Sequence, residues 1–488
     1  MSLRPASLVV ALHLLLAGCS ALDILPINAP VEDSRNPGAN IAADVFPMDA
    51  GSETLVGVTF SGGGTRAAAF SFGVLKAFAA TPITARNDHA LTLLDRIDFV
   101  SGVSGGSVTA AYFGLKGKGA LMDFRERFLL RDAEENLHTS LLRPTNLARA
   151  FNGGANDRSN LPQWLDQNLF EGATFEAILA RKRPVVWLNA SDIANQTPFV
   201  FEPNTFRAFC SDLAKLPVSE AVAASAAVPV AFAPIALETF PERCAYTMPP
   251  WVRYADEQAG APAVLKAFAR ALYAYRDTEK MKFIRLLDGG ITDNFGLSGL
   301  TLARAAADTP YAPLTPRQAV RLKNALFVTV NSGRATNADW AKSRDAPGMI
   351  PLLQAVLDTG INSTVRLGLD AFQLTINKWQ ADLIEWRCKL PSGEVLKYRG
   401  TLTGWNCRDI KFHSGELAFD QIPEKKARLG AIETSFKLPQ DQVDLLIEAG
   451  QEAVSRNPVI NGFLSAARQP GSEKASIPSG AQQLQKSR

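Results

Sequence analysis

Residues 97–110 read Ile97-Asp98-Phe99-Val100-Ser101-Gly102-Val103-Ser104-Gly105-Gly106-Ser107-Val108-Thr109-Ala110, and their reading decides the fold. Ile97, Phe99 and Val100 have the composition of a buried strand, Gly102 to Gly106 that of a sharp turn, and Ser107 to Leu115 that of a helix. In Gly102-Val103-Ser104-Gly105-Gly106 a glycine stands two residues to either side of a serine, so the backbone can turn tightly while the hydroxyl stands clear of it. A serine placed in this way can attack an acyl carbon. Plain Gly/Ser-rich strand-to-helix loops match the same pattern, so the assignment depends on what the rest of the chain supplies.

Upstream, Thr54 to Phe60 is a second buried-strand pattern that runs into Ser61-Gly62-Gly63-Gly64-Thr65-Arg66 and then a helix, Ala67 to Ala79. A glycine-rich strand-to-helix turn presents unpaired N–H groups at a helix N-terminus, which suits an anion. A nucleotide P-loop would need Gly-Lys-Ser/Thr where Thr65-Arg66-Ala67 stands, and a dinucleotide fingerprint would need glycine in place of Ala67. An oxyanion hole remains, with N–H donors from Gly63 and Gly64. Downstream, Phe283 to Asn294 carries four apolar residues ending in Asp288-Gly289-Gly290, so a carboxylate again follows a strand; a common Asp-Gly turn would look the same. Further strands are expected at Arg183 to Asn189, Thr197 to Phe201 and Leu326 to Val330, and a small-residue helix at Glu220 to Ala227, capped by Ser219 and stopped by Pro229. Strand followed by helix, repeated, predicts a three-layer α/β/α sandwich with a mainly parallel central sheet. Ligands of such sheets sit at strand carboxyl ends, where the triple glycine, Ser104 and Asp288 can converge.

A serine needs a base. Of the four histidines, His13 lies in an N-terminal leader, His89 and His138 lie among polar helix-like residues, and His413 lies in the polar segment KFHSGEL; all three of the latter read as surface residues. Asp288 is the better candidate, because a carboxylate bonded to the serine hydroxyl can take its proton during attack.

The three glycine-marked stretches together resemble the patatin-like phospholipase family, which shares its catalytic core with cytosolic phospholipase A2. SGGGTRAAAF (61–70), GVSGG (102–106) and DGG (288–290) occur in the family's order, and the likeness extends through NASD (189–192), ASAAVPVAFAPI (224–235) and ETSFKLPQDQVDLLIEAG near the end. The resemblance implies a Ser104–Asp288 dyad and an oxyanion hole on Gly62, Gly63 and Gly64, flanked by Arg66, Gly102, Gly106, Gly289 and Gly290. Ala67 stands where the family usually has glycine. Implied activity is hydrolysis of acyl esters in phospholipids, lysophospholipids and neutral glycerides, with no metal or cofactor at the catalytic centre. Two rival readings are an esterase or thioesterase acting on soluble acyl compounds and a non-catalytic envelope protein that binds lipid or a partner.

The 488 residues, 47% hydrophobic and 20% charged with net charge +3, suffice for a large core and do not point to nucleic acid. RKR at Arg181 to Arg183 reads as solvation of a strand's approach. Residues 1–18 read as a signal peptide, with the apolar run Leu8 to Leu16 and then Ala17-Gly18-Cys19; LAGC resembles a bacterial lipobox that leaves Cys19 lipidated. Ser20 after the cysteine points to the outer membrane of a bacterial envelope. Residues 19–53 are expected as a tether, 54–465 as the acyl hydrolase domain and 466–488 as a disordered tail. Cys210, Cys244, Cys388 and Cys407 either pair with nearest neighbours or are buried small apolar residues, and no CxxC spacing suggests zinc. Ala263 to Tyr275 predicts an amphipathic helix with Leu265, Phe268, Leu272 and Tyr275 facing the core. Phe232 to Tyr275, with Trp251 and Tyr254, is the stretch expected to supply any lid or lipid-facing rim.

Overall fold

A computed structural model describes residues 23–32, 46, 48, 52–86, 89–138, 146, 149–150, 153–334, 339–342, 344–345 and 348–468. The leader, Cys19 and residues 469–488 lie outside the described residues. In chain order the strands are β1 (Thr54–Phe60), β2 (Pro82–Arg86), β3 (His89–Thr92), β4 (Ile97–Val103), β5 (Val185–Asp192), β6 (Thr197–Phe201), β7 (Ile235–Glu238), β8 (Phe283–Asp288), β9 (Asn324–Asn331) and β10 (Lys411–Ala418). The helices that matter below are α1 (Gly64–Ala80), α2 (Gly105–Lys116), α3 (Val218–Ser225), α4 (Pro250–Glu257), α5 (Ala263–Tyr275), α6 (Gly290–Asp293), α7 (Ser298–Ala305), α8 (Met349–Lys389), α9 (Gln440–Arg456) and α10 (Pro458–Arg468).

Strands rich in Val, Leu and Phe with no polar face must be covered on both sides, and such strands pair parallel. The sheet runs β10-β9-β1-β4-β5-β8-β7, with β6 also on β5. β10, β9, β1, β4 and β5 are mutually parallel. On one face, Val56, Val58 and Phe60 of β1 join α1, α2, α5 and α9 in a large core. On the other, Leu55, Phe99, Trp187 and Phe327 pack with Phe372, Ile376, Trp379 and Leu383 of α8. These are the three layers the sequence implied. Among the described residues no helix is long and apolar enough to cross a membrane.

The sheet departs from a simple parallel one at β5. Ala190 pairs with Phe199 of β6 and with Asp288 of β8, so β6 and β8 lie on opposite edges of β5. Asn189 pairs with Val200 of β6 and with Val103 of β4, so β4 lies opposite β6 as well. β4 and β8 therefore share one edge of β5. Because β4 is parallel and β8 antiparallel to β5, their carboxyl ends meet head-on. The sequence pattern places Asp288 at a strand's carboxyl end, but not the reversed direction of that strand.

Several expectations change. Residues 23–32 are not a free tether: Ile27 donates its N–H to Ala236 O, Val31 to Cys210 O, and Ala29 O accepts from Asp212. Asn28 adds bonds to Ser211 and Glu238, and Phe46 packs between Phe99 and Trp187. Helix α10 runs to Arg468, three residues into the stretch expected as tail. Helix α3 begins at Val218 behind an extended Pro217, and Ser219 bonds Asp166 instead of capping it. His413 is buried on β10, edge-on to Phe463, and burial pushes its imidazole down to about 4. His138 is half-buried. The cysteines pair as nearest neighbours, Cys210 with Cys244 and Cys388 with Cys407.

Candidate active site

β4 ends at Val103, α2 starts at Gly105, and Ser104 alone makes the turn between them. Its φ of 51° is a conformation that serine rarely adopts, and it holds the side chain off the strand axis. This elbow needs small neighbours: a Cβ on Gly105 would lie 1.9 Å from the carbonyl oxygen of Gly64, so the glycine loop after β1 rests directly on it. Ser104 is 6% exposed and Asp288 8% exposed.

Ser104 and Asp288 are brought together where the carboxyl ends of β4 and β8 meet along β5. Burial pushes the Asp288 carboxyl up to about 6; the Gly290 N–H, 2.8 Å from Oδ1, and the Ser104 hydroxyl pull it back down. Ser191 donates its hydroxyl to the Asp288 carbonyl at 2.8 Å, fixing the strand end from β5. Gly289 and Gly290 carry the chain away, and a Cβ on Gly289 would collide with the carbonyl of Asn189. No histidine joins Ser104 or Asp288 among the described residues; His413 lies three strands away on β10.

The triple glycine faces this pair. Gly63 precedes α1 and Gly64 begins it, so their N–H groups lie ahead of any intrahelical acceptor. Gly62 differs: its N–H is donated to Asn294 O at 3.1 Å, which removes it from the expected set of oxyanion donors. Gly62 instead provides room, since a Cβ there would sit 2.4 Å from Asn294 Oδ1 and 3.3 Å from Ser104 Cβ. The loop is held from behind. Buried Arg66 donates to the carbonyls of Ser332 and Ile432, each at 2.8 Å, and Ser435 O accepts the Thr65 N–H. Burial pulls the Arg66 guanidinium down to about 10, which leaves it protonated at neutral pH.

Sequence reasoning missed Ser225. It lies at the end of α3 inside the quoted ASAAVP stretch, fully buried, and its Oγ accepts the Ser104 N–H at 2.9 Å while donating to Asn189 O at 2.5 Å. The Ser107 hydroxyl lies 2.5 Å from Ser225 Oγ. Asn189, from the NASD stretch, reaches the other way with its amide to Ser101 Oγ and Gly102 O. The nearby Asn294 signal was likewise present in DGGITDN. Among the described residues no three His, Cys, Asp or Glu side chains cluster as metal ligands would.

Residues 58–301 match the profile of the Patatin-like phospholipase family. The chain belongs to that family. Among solved structures, this patatin-like phospholipase is similar to human GIVD cytosolic phospholipase A2, at 13% identity and a TM-score of 0.37, over 85% of this chain and 62% of that one. It thus spans less than two thirds of that protein's length. No curated protein sequence matches it. The family match ends at Thr301, yet Ser332, Ile432 and Ser435 beyond it support the glycine loop.

The helix over the site is α8, which packs against α6 directly after Asp288-Gly289. One side of its carboxyl half is core, through Phe372, Ile376, Trp379 and Leu383. Leu352, Val356 and Leu367 in its amino half and Leu374 just past its midpoint are exposed, four, eleven and seven residues apart, and so they share the side facing away from Phe372, Ile376 and Trp379. The segment expected as a lid, Phe232 to Tyr275, is built into the body instead. It supplies edge strand β7, the Leu265, Phe268, Leu272 and Tyr275 stripe is buried as expected, and Trp251 stacks on Phe268.

Proposed function

We propose that this protein is a serine acyl-ester hydrolase acting on membrane lipids. Ser104 attacks the ester carbonyl, and Asp288 accepts its proton. The N–H groups of Gly63 and Gly64 stabilise the tetrahedral oxyanion. Asp288 returns the proton to the departing alcohol. It then takes one from the water that cleaves the acyl-enzyme. What carries the reading is a single observation: a serine on a strained elbow at the end of β4 meets a buried carboxylate at the end of β8, and burial raises that carboxylate's affinity for a proton. A carboxylate of ordinary pKa would be a weaker base at neutral pH. Membership of the phospholipase family supports a lipid substrate, and the outward apolar stripe of α8 beside the site supports one presented in a bilayer or micelle. Location in a bacterial envelope through acylated Cys19 belongs to the same proposal and rests on LAGC at residues 16–19.

The test is labelling with a fluorophosphonate ester followed by peptide mapping. An adduct on Ser104 in wild type, absent from a folded Ser104→Ala protein, is the expected result. Wild type that stays unlabelled both in buffer and in detergent micelles would leave a lipid-binding protein as the better reading. Rate enhancement on micellar over monomeric ester separates a lipase from an esterase of soluble acyl compounds.

A further inference from the structure

A cavity of about 530 Å³ opens at the foot of β5, where Val185, Val186 and Trp187 enter the sheet, at the other end of the strand from the Ser104–Asp288 junction. Its walls are mainly apolar, with Phe175, Phe201, Phe268, Leu272 and Leu302 among them. A volume of this size holds a small amphiphile. The polar groups on its wall are unevenly matched.

The basic run Arg181-Lys182-Arg183 supplies one of them. Arg183 pairs with buried Asp98 at 3.0 Å, and the Arg181 guanidinium lies against Gly117. Lys182 takes a left-handed φ of 59° between them and lines the cavity. Arg207 lines it too. Among the described residues neither Lys182 nor Arg207 forms an ion pair. The acid on the same wall, Glu202, is already satisfied by the N–H groups of Asn204 and Thr205 and by the Thr205 hydroxyl. The Trp251 indole N–H is buried with no acceptor, although its ring is stacked parallel on Phe268. A buried donor left without an acceptor calls for one. Two cations, one orphan donor and a long apolar wall complement a ligand whose head only accepts hydrogen bonds, is negative, and ends in a hydrocarbon chain.

We propose that this cavity binds a long-chain fatty acid, its carboxylate held by Lys182, Arg207 and the Trp251 N–H, at a site separate from Ser104. Fatty acids are the product class of the hydrolysis proposed above, but binding here needs no turnover, so it stands or falls apart from that reaction.

The test is titration of wild type with a fluorescent polyunsaturated fatty acid below its micelle concentration, read by energy transfer from tryptophan, since Trp187 and Trp251 line the cavity. Saturable binding of one molecule per chain is expected. Ala306→Phe, which narrows the cavity, should weaken it by at least about tenfold while leaving soluble-ester hydrolysis unchanged. Lys182→Glu with Arg207→Glu should weaken the acid by about tenfold and leave the corresponding long-chain alcohol unaffected. If Ala306→Phe loses its cooperative melt, the surface charge reversals carry the test. No saturable binding, binding indifferent to a folded Ala306→Phe, or equal response of acid and alcohol to charge reversal would each overturn the proposal. A protein that binds the acid in this way but takes no label on Ser104 would keep this site and lose the catalytic reading.

Discussion

Hydrolysis of a soluble ester should lose about tenfold in kcat/KM for each pH unit below about 6, because only ionised Asp288 can take the Ser104 proton. Burial pushes this carboxyl from 3.8 up to about 6. At pH 7 roughly ten carboxylates are then ionised for each protonated one, and at pH 5 roughly one in eleven is ionised. Stability runs the other way. A folded-state pKa above the unfolded value means that the fold binds the proton more tightly, so this contribution is complete below pH 3.8 and is lost as pH rises through about 6. The loss is about 3 kcal/mol, from about two units at 1.36 kcal/mol each. The acid limb of activity therefore does not reflect unfolding driven by Asp288. Asp288→Asn, neutral at every pH, should lower kcat by about 10²-fold or more yet raise Tm at pH 8. The assay is kcat/KM on a p-nitrophenyl ester from pH 4.5 to 8, with Tm measured in the same buffers. A limb centred near 4, or an Asn variant within tenfold of wild type, would refute the assignment of Asp288 as base.

Ser225→Ala removes the acceptor of the Ser104 N–H and should lower kcat by about 10²-fold through misplacement of the elbow, with KM little changed; a shift in KM alone would contradict that role. Leu352→Asp with Val356→Asp and Leu367→Asp should reduce co-sedimentation with phospholipid vesicles and leave soluble-ester hydrolysis intact, and equal losses on both would count against a lipid-facing α8. Reduction of the disulfides, which close loops of 34 and 19 residues, should each cost about 3 kcal/mol, read as a drop in Tm with added dithiothreitol. Arg66→Met, which loses the bonds to Ser332 and Ile432, should destabilise the fold and slow hydrolysis, visible as a lower Tm and lower kcat together.

The strands that carry the site were legible because each is a short apolar run closed by glycine, and β1 and β6 have the bounds expected from sequence. The positions of Ser104 and Asp288 at strand carboxyl ends were legible for the same reason. Gly62 was not separable from Gly63 and Gly64, since which N–H group is already engaged depends on Asn294, more than two hundred residues later. Ser225 went unread because nothing local distinguishes it from the other small residues of α3; its role comes from where that helix ends. The docking of residues 23–32 was missed because it rests on backbone bonds of Ile27, Ala29 and Val31 and side-chain bonds of Asn28 to β7 and to residues 210–212, far along the chain, and composition does not report that. His413 was misread because KFHSGEL looks polar, although alternate residues of β10 face inward.

With β4 and β8 set end to end along it, β5 acts as a splint across a break in the sheet. Side chains alternate along a strand, so a slip of one residue between β5 and β8 would move Asp288 by about 3.3 Å and turn its carboxylate to the opposite face. The three paired positions, Ala190, Ser191 and Asp192, hold that alignment. Backbone amide exchange in this short segment is therefore a gauge of the whole site: a variant that frays it will have lost the meeting of serine and carboxylate even if every side chain of the pair is unchanged.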